Sequence, residues 1–542
     1  MIVWTMVLDP AVVAALTAQL GPENVLIDAA SIAHYAASTG LVSVPSIGSV
    51  RPASTAEVQA VVAIAADRGI RLYPVSRGRN WGYGDSCPVQ PNQLIVDLSR
   101  MNAIREVDDT LGYAVIEAGV TQGQLSAYLA ERYPSFWCDC TGAGPDVSIV
   151  GNVLERGFGH SPYGNRAQTV CGMEIVLPDS RILKTGTGRH SASRTVHTYP
   201  YGVGPFIDGL FTQSNFGIVT SLGIWLMPVP EETCLFLASS DDPDGLAPMI
   251  DGLRELRLEG TVNSIVHIGN DMRLISSAMS FPFHLFPERS SLPADYRAML
   301  RRTAGLGEWT AVGALHGDRR LVAAARRRIR SRLHDFHPKF LTRKRLDRAL
   351  RLQRLLASVG RGQTLGRRLE TASALFDINT GKPSRRFMAG AYWRRRGGIP
   401  ADLAEASHPA ADGCSFLWLS PTAPATGRHA LELRDLVAAE FEKDDFDFFV
   451  TMSLINERTL GAVVSLCFDG DNGEERSRAG ACYDRVFDLL VAAGFVPYRV
   501  STASMDRIRR EPAPYWDIVR SLKRAIDPQG LIAPGRYTQS DG

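Results

Sequence analysis

Apolar residues recur at helical spacing over residues 55–67, where Val58, Val61, Val62 and Ile64 share one face. The period then changes. Residues 71–75 read as a short strand and residues 94–98 as another, separated by a polar, Gly-rich turn. Residues 114–118 and a helix over 122–130 repeat the alternation. This wiring predicts an α+β fold in which the loops after strands carry ligand sites. From Thr233 the pattern shifts to a strand at residues 235–238 and then to long amphipathic segments. Residues 319–368 are rich in Arg and Leu, which predicts helices with a basic face. Snorkelling, solvated arginines are the favoured reading of that face, and a docking surface for an acidic partner is the alternative. A final helix is expected over 518–525. The shift near residue 232 divides the chain into an expected first domain, residues 1–232 rejoined by 497–542, and a second, residues 233–496.

Composition narrows the class. A chain of 542 residues is too long for one ordinary core. Its 45% hydrophobic and 21% charged content is that of a soluble globular protein. A formal charge of +2 gives no field suited to nucleic acid or a membrane surface, so neither is an expected partner. No apolar run reaches the ~18 residues that span a bilayer. The first ten residues lack the basic start and small-residue cleavage site of a secretory signal. Eight cysteines without a CxxC pair argue against a disulfide framework or zinc site, and for buried thiols in a reducing, cytoplasmic setting. Eleven histidines form no HxxxH or HxH pair, so no metal is expected.

Three Gly-rich stretches carry the candidate chemistry. Residues 74–84, PVSRGRNWGYG, follow a strand, and their glycines let backbone N–H groups converge on an anion such as phosphate. The stretch has neither the GxGxxG pattern nor the Lys-Ser/Thr of a P-loop. Residues 141–164, TGAGPDVSIVGNVLERGFGHSPYG, would let a flat ring or pyrophosphate lie against backbone. Residues 199–228, YPYGVGPFIDGLFTQSNFGIVTSLGIWLMP, are the third. Each alone is compatible with packing glycine; the three together, in this order, are not easily so.

Taken with RPASTAEVQAVV (51–62) and CGMEIVLPD (171–179), these blocks resemble the vanillyl-alcohol oxidase and 4-cresol dehydrogenase family of flavoproteins. The resemblance resumes at Tyr392-Trp393-Arg394, at Pro497-Tyr498-Arg499-Val500 and at DPQGLIAPG (527–535), and is thin between. It implies an FAD-binding fold of two α+β subdomains closed by the C-terminal tail, with a cap whose antiparallel sheet roofs the substrate. By matching positions, Pro74, Ser76, Arg77, Gly78, Arg79 and Asn80 would hold the FAD pyrophosphate. Ser148, Gly151, Asn152, Glu155 and Gly157 would line the dinucleotide, Ile218 and Val219 would lie toward the adenine, and Arg536 would bring positive charge to the cofactor.

The resemblance also implies a clamp of two tyrosines and an arginine on a phenolic oxygen, here Tyr83, Tyr498 and Arg499. The logic is direct. Hydride loss from the carbon para to a phenol is easy only if the ring becomes a quinone methide, which requires phenolate. A phenol of pKa ~10 is neutral at pH 7, so cationic charge and donors must be supplied. Three positions depart from the family. Phe416 falls where relatives tether FAD covalently, so noncovalent FAD is expected, with a thioether from Cys414 or Cys140 as the alternative. Ala143 falls where the alcohol oxidases carry an acid near the flavin, with Asp146 close by. His160 replaces a tyrosine and is a candidate general base.

The expected activity is hydride transfer to FAD from the para side chain of a 4-substituted phenol. The alternatives are oxidation of a larger aromatic or polycyclic biosynthetic intermediate, and a flavoprotein subunit relaying electrons to a cytochrome. The expected partners are therefore a small aromatic molecule, an acceptor (oxygen or a cytochrome) and, by resemblance, a second copy in a homodimer.

Overall fold

The structure, a computed structural model, describes residues 8–357, 363–403, 408–510 and 514–538. The helix expected over 55–67 is Thr55–Arg68. Ser54 caps it by accepting from the Glu57 N–H, Glu57 reaches back to the Ala53 N–H, and Gly69 ends it in the left-handed conformation. Its buried face (Val58, Val61, Val62, Ala65) belongs to a core shared with a four-stranded sheet. That sheet runs in the order Val25–Leu26, Ser49–Val50, Gln93–Asp97, Arg71–Val75, with the last three strands parallel.

The strand expected at 94–98 is Gln93–Asp97, because the Asp97 carboxylate accepts from the Ser99 N–H and turns Leu98–Arg100 into a 3-10 helix. The strand expected at 114–118 is Tyr113–Glu117, and it lies in a five-stranded antiparallel sheet. The helix from Gln122 runs to Arg132, and the last helix is Pro514–Ile526.

The strand Glu232–Ser240 opens an eight-stranded antiparallel sheet. Across it lie Lys339–Thr342, Glu232–Ser240, Trp309–Gly317, Val266–Asn270, Phe449–Leu454, Thr459–Cys467, Phe416–Pro424 and Pro497–Arg499. Strand alternation gives it two different faces. Val266, Ile268, Val450, Met452, Val464, Leu417 and Leu419 point into a core shared with the helices Leu246–Leu258, Gly427–Lys443 and Gly473–Ala492. The alternate residues His267, Thr451, Ser453, Val463, Ser465 and Trp418 line a cavity.

The chain end is pinned to the first core. Leu72 N–H donates to Leu531 O at 2.8 Å and Ala533 N–H to Leu72 O at 2.7 Å, so the tail runs beside the strand Arg71–Val75. Lys523 bridges Asn215 O, Asp527 and Ile532 O, while Asp527 accepts from Leu531 and Ile532 N–H. Tyr392-Trp393-Arg394 is structural: Arg394 makes a 2.6 Å ion pair with Glu475, both buried, and Trp393 donates to Asp447.

The basic stretch forms the helices Arg319–Arg332 and Arg343–Ala357; its residues 358–362 lie outside the described residues. Arg326 and Arg330 lie over the Phe340 ring, and Arg319, Arg328 and Arg332 pair with glutamates, as a solvated face would. All eight cysteines are buried free thiols. Among the described residues no helix is long and apolar enough to cross a membrane.

Candidate active site

One cavity of about 500 Å³ gathers the three Gly-rich stretches, the chain end and the lined face of the large sheet. Every residue that the sequence assigned to cofactor or catalysis lies on its wall. Pro74 and Ser76 to Asn80 leave the strand Arg71–Val75 as a tight loop. Gly78 has φ +62°, and a Cβ there would stand 2.9 Å from the Ser86 Cβ. Facing it, Ser148 caps the short helix Ile149–Leu154 by accepting from the Gly151 N–H at 2.9 Å. A Cβ on Gly151 would meet the Ser76 side chain at 3.2–3.3 Å, so both loops approach because neither carries bulk there. Asn152, Glu155 and Gly157 continue this wall, and Ile218 and Val219 start a buried strand on it. Arg77 and Arg79 add cationic charge beside the loop. A glycine-lined cradle with two arginines, opening onto a long cavity, fits a dinucleotide with a pyrophosphate.

The predicted clamp residues meet at the other end. Arg499 ends the strand Pro497–Arg499, and its guanidinium carbon lies 4.1 Å from the Tyr83 ring centre. Its Nη2 donates to Asn80 Oδ1. Tyr83 and Tyr498 interact through their hydroxyls, and the Tyr83 hydroxyl also contacts Ser420 Oγ. Burial pushes both phenol pKa values up, and Arg499 opposes this without reversing it, so both tyrosines are protonated donors at neutral pH. Burial disfavours the Arg499 charge, but Glu155 and the three tyrosines Tyr83, Tyr498 and Tyr537 together outweigh it and hold the pKa above the usual arginine value.

Glu155 has a second neighbourhood that its motif did not reveal. Its carboxylate pairs with Arg536, accepts from the Tyr537 hydroxyl at 2.7 Å and lies 3.4 Å from Arg499 Nε. That last contact is an ion pair by distance, while the Nε–H makes no aligned hydrogen bond. The Arg536 charge is thus shared with Glu155 rather than left for the cofactor alone.

His160 lies against His267, with ring centres 4.2 Å apart. His267 Nε2 is 3.2 Å from Gly159 O and Nδ1 is 2.8 Å from Ser453 Oγ. A carbonyl only accepts, so Nε2 carries the proton and Nδ1 accepts from the serine. Burial brings the His160 pKa down to about 4, with Arg166 adding to the effect, so at pH 7 it is a neutral base on the cavity wall. Ala143 lines the cavity, while the neighbouring Asp146 carboxylate is taken by Arg385 at 2.6 Å. Phe416 also lines it; Cys414 and Cys140 are not on its wall, and burial pushes both thiol pKa values up.

Sequence reasoning did not single out Ser420, His267 or Arg273. Each sits on or beside the large sheet, in the part of the chain where the family resemblance is thin. Ser420 belongs to a Ser-Pro pair; His267 and Arg273 carry no local signal.

Fold and cavity together define a flavin enzyme. Residues 47–186 match the FAD binding domain family. The chain is 37% identical over 493 residues to the 1'-carboxy-chondrochloren decarboxylase of Chondromyces crocatus, covering 90% of each. It is 30% identical over 528 residues to the 4-cresol dehydrogenase [hydroxylating] flavoprotein subunit of Pseudomonas putida, covering 96% of this chain and 93% of that one. Among solved structures, p-cresol methylhydroxylase with substrate bound superposes with a TM-score of 0.86 at 27% identity, covering 98% of this chain and 96% of that one. The 4-ethylphenol oxidase from Gulosibacter chungangensis, in its isoeugenol complex, gives 0.88 at 24% identity over 98% and 97%, which bears on the fold. This chain belongs to the vanillyl-alcohol oxidase and 4-cresol dehydrogenase family of FAD-dependent oxidoreductases.

Proposed function

We propose that the chain oxidises the para side chain of a 4-substituted phenol through a quinone methide, with noncovalent FAD. The convergence of Tyr83, Tyr498 and Arg499 on one end of the cavity carries this reading. FAD supplies the two-electron acceptor for the hydride. The protein's part is to hold the phenol as phenolate: two hydroxyl donors and one guanidinium stabilise the oxygen before the C–H bond breaks. The phenolate lone pair then forms the C=O bond, the ring electrons shift to the para carbon, and the C–H pair leaves as hydride. His160, neutral and unshielded from the cavity, accepts the proton of a water that adds to the methide carbon. The names of the 4-cresol and p-cresol relatives support a phenolic substrate. Reoxidation falls to oxygen or to a cytochrome-type acceptor, and the enzyme acts as a homodimer.

A second reading is favoured by the relative named a decarboxylase. Here the side chain carries a carboxylate on the carbon next to the methide carbon. Loss of CO₂ leaves the C–C bond pair as a new double bond to the methide carbon, and the displaced π pair restores the phenolate, so the product is a 4-vinylphenol.

Anaerobic mixing with a panel of 4-alkylphenols and their O-methyl ethers tests the first reading. Bleaching of oxidised flavin that requires the free para hydroxyl is expected. Equal bleaching by phenols and ethers, or none by either while dithionite still reduces the flavin, would reject it.

A further inference from the structure

Arg273 is a cation on the cavity wall that nothing in the described structure neutralises. It sits in the short helix Asp271–Ile275, directly after the strand Val266–Asn270. Its backbone N–H is spent on the Asn270 cap at 3.1 Å, and its guanidinium makes no ion pair among the described residues. The adjacent carboxylate is not available. Asp271 is fully buried and is held by Arg297 at 2.8 Å and by Arg301 at 3.8 Å. Cys467, whose thiolate would attract this guanidinium, has its thiol pKa pushed up to about 12 by burial and is neutral. Gly390 leaves room for the guanidinium: a Cβ there would stand 3.4 Å from Arg273 Nη1. Of the acids on the same wall, Glu155 is committed to Arg536 and Arg499, and Asp85 is held by Ser38 and Thr39. A half-buried guanidinium on the wall of a cavity that a ligand fills loses its water without gaining a counter-ion, which is costly, so this position calls for an anion from outside the chain.

The sheet register places that anion relative to the phenol clamp. Ser420, which contacts the Tyr83 hydroxyl, pairs with Arg499. Phe416, four residues back along the same strand, pairs with Cys467, the electrostatic neighbour of Arg273. Four residues of strand span roughly 13 Å at ~3.3 Å per residue. This is the reach of a phenol ring with a short side chain and a hydrogen bond at each end.

We propose that Arg273 is a specificity residue that binds a carboxylate on the substrate's side chain, so that the preferred substrate is a 4-hydroxyphenyl alkanoate rather than an uncharged alkylphenol. The proposal rests on the phenol reading for the other end of the ligand only; the anion site itself depends on Arg273 and its surroundings.

The test uses the FAD-loaded enzyme and the ligand concentration that half-saturates the anaerobic flavin absorbance change. Three ligands are compared: 3-(4-hydroxyphenyl)propanoate, its methyl ester, and 3-phenylpropanoate. In the wild type the acid is expected to half-saturate at a concentration lower than its ester by a factor on the order of 10². Arg273→Leu should collapse the acid-to-ester ratio toward one, and Arg273→Lys should restore part of it. An acid and ester that are equivalent in the wild type would overturn the proposal. So would a ratio that survives Arg273→Leu, even if both ligands weaken together, since that places Arg273 in the flavin's surroundings. Silence of both acids overturns it as well. If 3-phenylpropanoate matches its hydroxylated counterpart and responds equally to Arg273→Leu, the phenol reading falls while the anion site stands.

Discussion

Arg499 Nε lies 3.4 Å from a Glu155 carboxylate oxygen, which ties the cation of the proposed clamp to the chain end through Arg536 and Tyr537. One carboxylate thus serves two buried guanidinium groups, and the unbalanced positive charge remains at the clamp. Burial by itself would raise the Glu155 pKa; Arg536 and Arg499 override it and hold the carboxyl below its usual value. A depressed carboxyl contributes stability above its unfolded pKa of ~4.3 and loses it as pH falls through the folded value. Glu155→Gln is therefore expected to cost about 3–5 kcal/mol at pH 7, as for a broken buried pair. Its deficit should shrink in acid, below the unfolded pKa. Urea unfolding at pH 7 and pH 3.5 checks this, and an equal deficit at both would remove the charge argument.

The clamp predicts a separation between chemistry and cofactor binding. Tyr498→Phe and Arg499→Ala should each slow anaerobic flavin reduction by about 10²–10³-fold, as for the loss of one oxyanion donor. FAD content should change far less. Stopped-flow reduction beside the flavin-to-protein absorbance ratio measures both, and wild-type reduction rates in both variants would dismiss the clamp.

His160 predicts an acid-side effect on stability. Its folded pKa of about 4 lies below the ~6.5 of an exposed histidine, so the neutral form's contribution is complete above pH 6.5. It is lost progressively as pH falls from 6.5 through 4, to a total of about 3 kcal/mol. His160→Phe should flatten the fall in melting temperature across that window, while an unchanged slope would assign the fall to other buried histidines such as His316. If His160 is also the base for water, the same variant lowers the yield of hydroxylated product at fixed flavin reduction.

The cofactor cradle predicts two outcomes. Gly78→Ala places a Cβ at φ +62° and 2.9 Å from Ser86, which costs ~1–2 kcal/mol in backbone strain and should weaken FAD binding about tenfold. Acid precipitation should release the yellow chromophore into the supernatant, because Phe416 has no nucleophilic atom. Flavin that stays with the pellet would show a covalent link.

The sequence by itself determined what is contiguous. The helix Thr55–Arg68 was legible in its own period and caps, and the tight loop after the strand Arg71–Val75 in the glycines of residues 74–84, since positive φ and close approach leave a local signature. The strand end at residue 98 shifted back by one where the Asp97 side chain captured the Ser99 backbone N–H. The three residues proposed as a clamp were named from sequence through family resemblance alone, because Arg499 and its partner Asn80 are 419 positions apart. Only the tertiary structure decided which groups share charge. It gave Glu155 to both Arg499 and Arg536, tied Asp146 to Arg385, set His267 beside His160, and left Arg273 facing the cavity with no ion pair among the described residues. The reason is physical. Backbone conformation is fixed by neighbours in the chain, whereas pairing and proton affinity depend on which side chains the folded sheet brings within a few ångströms and shields from water.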